Sequence, residues 1–268
     1  MILLLAWVFV LGAAIGSFLN VVVYRLPAGK SIAWPGSYCP GCSHPIRWYD
    51  NLPILGWVLL GGRCRDCKMP ISARYPLVEA ATAAMFVAVV SQERPPYGVS
   101  AYHLVLLCTL LAAALIRIDG HRLPWRLLTP AWLIGLIAGL AFPFFHPLGV
   151  SPDLGAHTHY LLDWVSIGVG FLIGLVLLTI FERSNEAPGN SAYEAQLPMV
   201  VGLFLGLQAV VILGVTVVIF HVVYAAWRCD RPTLPRLPLA VWWFLGTLVW
   251  AVIWRLVLVH WPWPIWSI

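Results

Sequence analysis

Long, unbroken apolar runs separated by short polar joints dominate this chain. The runs fall near residues 1–24, 76–91, 101–118, 126–146, 160–181, 197–227 and 238–259. Most approach the roughly 20 residues an α-helix needs to cross a hydrocarbon layer about 30 Å thick. Continuous rather than alternating apolarity predicts helices and not a barrel. Met1–Tyr24 reads as a retained first span, because no basic leading region precedes its apolar stretch. The predicted fold is all-α: a polytopic membrane helix bundle of about seven or eight transmembrane segments. One polar interval breaks the pattern and predicts a small cytoplasmic loop domain. The chain then divides into a first transmembrane helix (1–24), the loop domain (25–75) and a helical membrane domain (76–268).

Composition sharpens this picture. Hydrophobic residues make up 61% of the chain and charged residues only 10%, against about 25% charged in a soluble domain. The interval 25–75 carries Arg25, Lys30, Arg47, Arg63, Arg65, Lys68 and Arg74 against Asp50 and Asp66. The positive-inside rule places it in the cytoplasm. Alternation then puts Arg117, Arg122 and Arg126 inside and the loop near 146–160, which lacks Lys and Arg, outside. A single crossing at 197–227 would leave Arg228, Arg231 and Arg236 outside. Two short legs, broken near Gly202, Gly206 or Gln208, restore the rule and bring the count to eight. In this setting the formal net charge of +5 marks a membrane side and implies no nucleic-acid partner. No internal repeat is apparent.

The polar interval holds most of the cysteines. "CPGCSHPIRWYDNLPILGWVLLGGRCRDC" contains two C-x-x-C pairs, Cys39/Cys42 and Cys64/Cys67, separated by 21 residues. Two tight thiol pairs suit tetrahedral zinc, each resembling one knuckle of a zinc ribbon. Disulfides are the competing reading, disfavoured in the reducing cytoplasm. A four-sulfur site would be closed, organising the loop rather than catalysing, and metal binding would supply folding free energy that so small a loop lacks. Cys108 and Cys229 read as small buried or interfacial thiols.

A family resemblance follows from the longer strings. "GSFLNVVVYRLP" (16–27), "CPGC" (39–42), "IRWYDNLPILGWVLLGGRCRDC" (46–67) and "PISARYPLVE" (70–79) closely resemble the N-terminal region of bacterial prepilin peptidases. These strings occur in order across the first third of the chain. The resemblance implies an intramembrane aspartic endopeptidase of the inner membrane. It would cut a basic leader from type IV pilin-like or pseudopilin precursors at the cytoplasmic face. It also implies methylation of the new N-terminus from S-adenosylmethionine, although the sequence holds no recognisable methyl-donor motif.

The same resemblance singles out two acids. Asp119, at the end of "LAAALIRIDG" and followed by Leu123-Pro124, resembles the family's first catalytic aspartate, with Trp125 where an acid often follows. The family's second aspartate lies in G-x-G-D-x-K, which is missing here. Threading back from "GLFLGLQ" (202–208) brings "SAYEAQLP" (191–198) under it: Glu194 takes the place of the aspartate, Tyr193 of a glycine and Gln196 of the lysine. Two adjacent carboxyls share a proton because both cannot comfortably ionise, which separates an acid from a base. The extra methylene of glutamate displaces its carboxyl by roughly 1.5 Å, and about 1 Å of misplacement can cost on the order of 100-fold in rate. A compensated site and a silenced one are both open readings, the latter a membrane assembly factor or a methyltransferase only. Glu79 reads as a helix-entry acid paired with a base, or as part of a substrate or methyl-donor site. His157 and His159 form an H-x-H pair in an outer loop.

Overall fold

The computed structural model describes residues 1–91, 98–141, 196–229 and 237–259, with isolated helical positions between 165 and 176. Among these residues the regular elements are all helical. They are α1 (Ile2–Arg25), α2 (Leu55–Leu59), α3 (Arg74–Ser91), α4 (Gly98–Ile118), α5 (Trp125–Ala141), α6 (Leu197–Cys229) and α7 (Leu239–Val259). Three of them, α1, α3 and α4, are by length and composition apolar enough to cross a membrane. The chain forms two units, Met1–Glu93 and Arg94–Ile268.

In the first unit, α1 packs on α3. The contact is made by Gly12 and Gly16, a G-x-x-x-G pair that lets two helix backbones approach closely in a lipid setting. A Cβ on Gly12 would stand 2.8 Å from Ala83 Cα, and one on Gly16 would stand 2.8 Å from Glu79 Cα. Both clashes are with backbone, so a side chain fits at neither position. The ends of the same pair are tied by Asn20, whose amide donates to the Tyr75 carbonyl at 3.2 Å. Arg25 closes α1. A cation in the last turn suits the carbonyl end of a helix, and its guanidinium donates to the carbonyls of Ser31, Pro35 and Gly36 at 3.2, 2.6 and 3.0 Å. That wraps the following loop back over the helix end and buries the charge against carbonyl oxygens.

In the second unit, α4 is the core helix and packs against α5, α6 and α7. Leu106, Leu107, Leu110, Ala112, Ala113 and Ile116 are fully enclosed. Tyr102 joins three helices: its single hydroxyl proton is shared between Leu203 O on α6 at 3.1 Å and Gly135 O on α5 at 3.4 Å. Its ring stacks on Phe204, centroids 4.4 Å apart. Gly135 leaves room for that Phe204 ring, which would meet a Cβ there at 2.8 Å.

The segment 197–227 departs from expectation. The structure forms one uninterrupted helix of 33 residues, Leu197–Cys229, in place of two short legs. Glycine is tolerated in membrane helices, and Gly202 and Gly206 leave the backbone ladder intact. At 1.5 Å per residue the helix is about 50 Å long, well beyond the hydrocarbon thickness. Much of the 160–181 run, with the His157/His159 pair, lies outside the described residues.

The Gly16 contact yields a test. Gly16→Ala is expected to lower stability by about 1–3 kcal/mol, the usual cost of overpacking, seen as earlier thermal unfolding in detergent. Gly36→Ala, where nothing lies within 4 Å of the added methyl, is expected to leave the unfolding temperature unchanged.

Candidate functional site

The cysteine loop is built from one local structure used twice. In the first copy Cys39 N–H donates to His44 O, Ser43 N–H to Cys39 O and Ile46 N–H to Ser37 O. In the second, Cys64 N–H donates to Met69 O, Lys68 N–H to Cys64 O and Ile71 N–H to Gly62 O. Every partner is displaced by 25 positions. Each copy is closed by an antiparallel bridge, Tyr38 with Pro45 and Arg63 with Pro70. Each places a non-glycine residue at positive φ after its second cysteine, Ser43 at 58° and Lys68 at 61°, a conformation L-residues enter rarely. The ten-residue segments "SYCPGCSHPI" and "GRCRDCKMPI" are thus an internal repeat, contrary to the sequence expectation. Only the two cysteines, the proline and the final isoleucine are shared, too few to stand out without the backbone pattern.

The two turns bring four sulfurs together. Cys39 Sγ lies 3.7 Å from Cys67 Sγ, and Cys42 Sγ lies 4.0 Å from Cys64 Sγ. All four lie within 4.8 Å of one another. A disulfide would need about 2.05 Å, and these cysteines are free thiols. Four sulfurs at about 2.3 Å from a tetrahedral ion stand roughly 3.8 Å apart, so the cluster fits a metal ion without rearrangement. Local electrostatics favour a thiolate at Cys39: the Cys42 and Gly41 amides point at its sulfur and lower its pKa to about 7. At Cys42 the His44 amide pulls the same way. Burial and the three neighbouring sulfurs outweigh it and push the thiol up to about 12. A cation among the sulfurs removes the repulsion that keeps such thiols protonated.

A second set of bonds holds the two turns together. Arg65, inside the second C-x-x-C, forks onto Asp50, with Nε to Oδ2 at 2.7 Å and Nη2 to Oδ1 at 2.6 Å. It also lies over the Tyr49 ring, 5.6 Å from the centroid. Arg47 reaches Asp66 at 3.6 Å. The "RWYD" stretch is therefore an electrostatic strap across the second cysteine turn. Asp50 is held below its ordinary value of 3.8 by the hydrogen bonds from Arg65. Deeper in the unit, the Trp57 indole donates to Ile71 O at 2.9 Å. Glu79 of α3 accepts the Ile54 amide at 2.6 Å, so a backbone N–H occupies this buried acid. Ile54 carries φ 63°, which a β-branched residue tolerates only when its surroundings insist.

Asp119 occupies the turn that ends α4. Gly120 N–H donates to Arg117 O at 3.0 Å and His121 N–H to Ile116 O at 3.1 Å, with Gly120 at φ 77°. This pair of bonds is the Schellman ending of a helix. Asp119 is thereby fixed as the last residue before the left-handed glycine, exposed beyond a buried core. Arg117 stretches along the turn and donates to His121 O at 2.9 Å. Leu123 drops back into the interior, 2% exposed, and α5 starts at Trp125. An open pocket of about 260 Å³ lies beside the starts of α5 and α6, lined by Trp125, Leu128, Thr129, Trp132, Leu133 and Gln196. Glu194 lies outside the described residues.

The sequence is similar to known proteins over most of this framework. Residues 10–92 match the family model of the bacterial peptidase A24 N-terminal domain. The prepilin leader peptidase/N-methyltransferase of Klebsiella pneumoniae is 41% identical over 166 residues, covering 59% of this chain and 71% of that protein. The protein of the same name from Burkholderia pseudomallei is 32% identical over 230 residues, covering 76% and 70%. That from Myxococcus xanthus is 38% identical over 209 residues, covering 78% of this chain but 58% of its own length. No solved structure matches. The chain belongs to the prepilin leader peptidase/N-methyltransferase family.

Because Asp50 is depressed in the fold, its contribution is fully present above its unfolded value and is lost as pH falls through the folded one. Asp50→Asn is therefore expected to speed amide exchange across residues 47–66 at pH 7. The difference from wild type should begin to shrink at about pH 4, where an unpaired aspartate takes up its proton, and vanish only below the depressed value of the folded state.

Proposed function

We propose that this protein is a leader peptidase of the inner membrane. It would cleave the basic leader of type IV pilin-like or pseudopilin precursors at the cytoplasmic face, with Asp119 and Glu194 as its acid and base. The observation that carries this reading is the Schellman turn that sets Asp119 at the exposed end of α4, ahead of an open pocket beside the starts of α5 and α6. Asp119 precedes the first by six residues, and Gln196, two residues after Glu194, lines the pocket. Kinship to relatives named for peptidase and N-methyltransferase activities supports the same conclusion.

The chemistry follows from one proton shared by two acids. The ionised carboxylate takes a proton from water as the oxygen attacks the scissile carbonyl carbon. The protonated carboxyl donates to the carbonyl oxygen and stabilises the tetrahedral intermediate. Collapse breaks the C–N bond, and the proton first taken from water passes to the leaving amine. The Schellman turn fixes the backbone of Asp119, so few torsions separate it from a working geometry. The four cysteines would hold a structural zinc ion, which links the two turns and supplies no open coordination site. Methylation of the released amine from S-adenosylmethionine is the second activity that the relatives' name attaches to the family, and it joins the proposal on that ground.

A non-proteolytic reading is favoured by one observation: the G-x-G-D-x-K pattern is missing, and Tyr193, Glu194 and Gln196 stand where its glycine, aspartate and lysine would be. Under it the chain is an assembly factor or a methyltransferase alone. Co-expression with a pilin-like precursor separates the two. Wild type is expected to cleave, and Asp119→Asn and Glu194→Gln are each expected to lose on the order of 100-fold or more. Glu194→Asp should also lose rate if the site is shaped around the longer acid. An intact precursor with wild type, under conditions where the Klebsiella relative processes it, would establish the non-proteolytic reading.

The metal is tested separately. Purified protein is expected to contain about one zinc per chain, and Cys39→Ser to lose it. At neutral pH binding should release protons, so apparent affinity rises with pH. Equal metal content in the variant would exclude the four-sulfur site.

A further inference from the structure

The short helix α2 turns an apolar face outward. Leu55, Val58 and Leu59 are 59%, 59% and 76% exposed, spaced at i, i+3 and i+4 so that they share one side. The other side is occupied: Gly56 lies against the Asp50 carbonyl, and the Trp57 indole is bonded to Ile71 O. Three large aliphatic side chains in a predominantly basic loop need an occupant.

Depth identifies it. Gly16 abuts the backbone of Glu79, so these residues share one level across the α1–α3 pair. Gly16 lies nine residues before the end of α1 at Arg25, or about 13 Å along the axis. The 24 residues of α1 measure about 36 Å, some 6 Å more than the hydrocarbon layer. If all of that surplus stood on the loop side, the shared level would still lie about 7–8 Å inside. The α3 helix agrees: its 18 residues measure about 27 Å, and Glu79 lies about 7–8 Å beyond Arg74. Side chains lean toward the helix N-terminus, which returns the Glu79 carboxylate a few ångströms toward the boundary. There it accepts the amide of Ile54, the residue that opens α2.

We propose that α2 is an interfacial anchor, its Leu55–Val58–Leu59 face set in the headgroup and acyl boundary of the bilayer and held there by the Glu79–Ile54 bond. Interfacial helices insert apolar faces to about this depth. The seven basic against two acidic residues of 25–75 complement the anionic lipid of a cytoplasmic leaflet. The buried acid of α3 thereby acts as a depth stop for the whole metal-binding loop.

The full chain in nanodiscs of phosphatidylethanolamine and phosphatidylglycerol provides the test. A fluorescent amino acid is placed at Leu59 or, for comparison, at the exposed Lys68. Lipids brominated on the acyl chain should quench the probe at 59 several-fold more than that at 68, while aqueous iodide shows the reverse order. Glu79→Gln keeps an acceptor oxygen and should preserve the pattern, whereas Glu79→Ala should bring the two probes together. Equal iodide quenching at both positions in the otherwise native chain would overturn the proposal, with or without a folded Glu79→Ala. A probe at 59 shielded from both quenchers would overturn it too, by showing that protein covers the face.

Discussion

The bare contact of α1 with α3 is the constraint on which the first unit rests. Lipid provides no hydrophobic drive to press two apolar helices together, so close association relies on backbone approach. Gly12 and Gly16 allow that approach where any side chain would meet backbone. Once the stems are joined, the ends of a loop of roughly fifty residues are already close, and little closure entropy remains for the cysteine turns to overcome. Arg25, Asn20 and Glu79 then each satisfy a backbone group that the membrane boundary would leave dry.

Much of this was readable in the residues because apolar length is a strong signal. The ends of α1, α3 and α4 and the starts of α5 and α7 fall within a few residues of the apolar runs, since leaving hydrocarbon is a sharp energetic event. The cysteine spacing likewise announced its cluster. What the residues concealed was bonding between backbone groups. The repeat of 37–46 in 62–71 is a repeat of hydrogen bonds, with little shared side-chain chemistry to betray it. The G-x-x-x-G pair was visible but went unread inside a uniformly greasy run. The break predicted near Gly202 came from a charge rule, yet a local helical ladder outweighs a side preference carried by a few distant arginines.

Asp119 illustrates what a sequence can and cannot announce about chemistry. Its position at the close of an apolar run was evident, and so was the glycine after it. That this glycine forms a two-bond helix ending, holding the acid at the outermost turn, required coordinates. The partner acid is inferred from the family resemblance of the sequence that leads into α6. A second acid displaced by one methylene is a modest change in composition and a large one in geometry, which is why the proposed pair is decided by chemistry on the bench.

The 33-residue helix α6 has a mechanical implication. Even inclined at about 40°, the steep end of what membrane helices adopt, a rod of about 50 Å projects roughly 38 Å along the bilayer normal. Some 8 Å must then overhang the hydrocarbon on one side or be shared between both. A helix of this length that crosses the layer is a stalk as well as a span: its overhang continues the same rod into the aqueous phase, with no break in the backbone between the two environments.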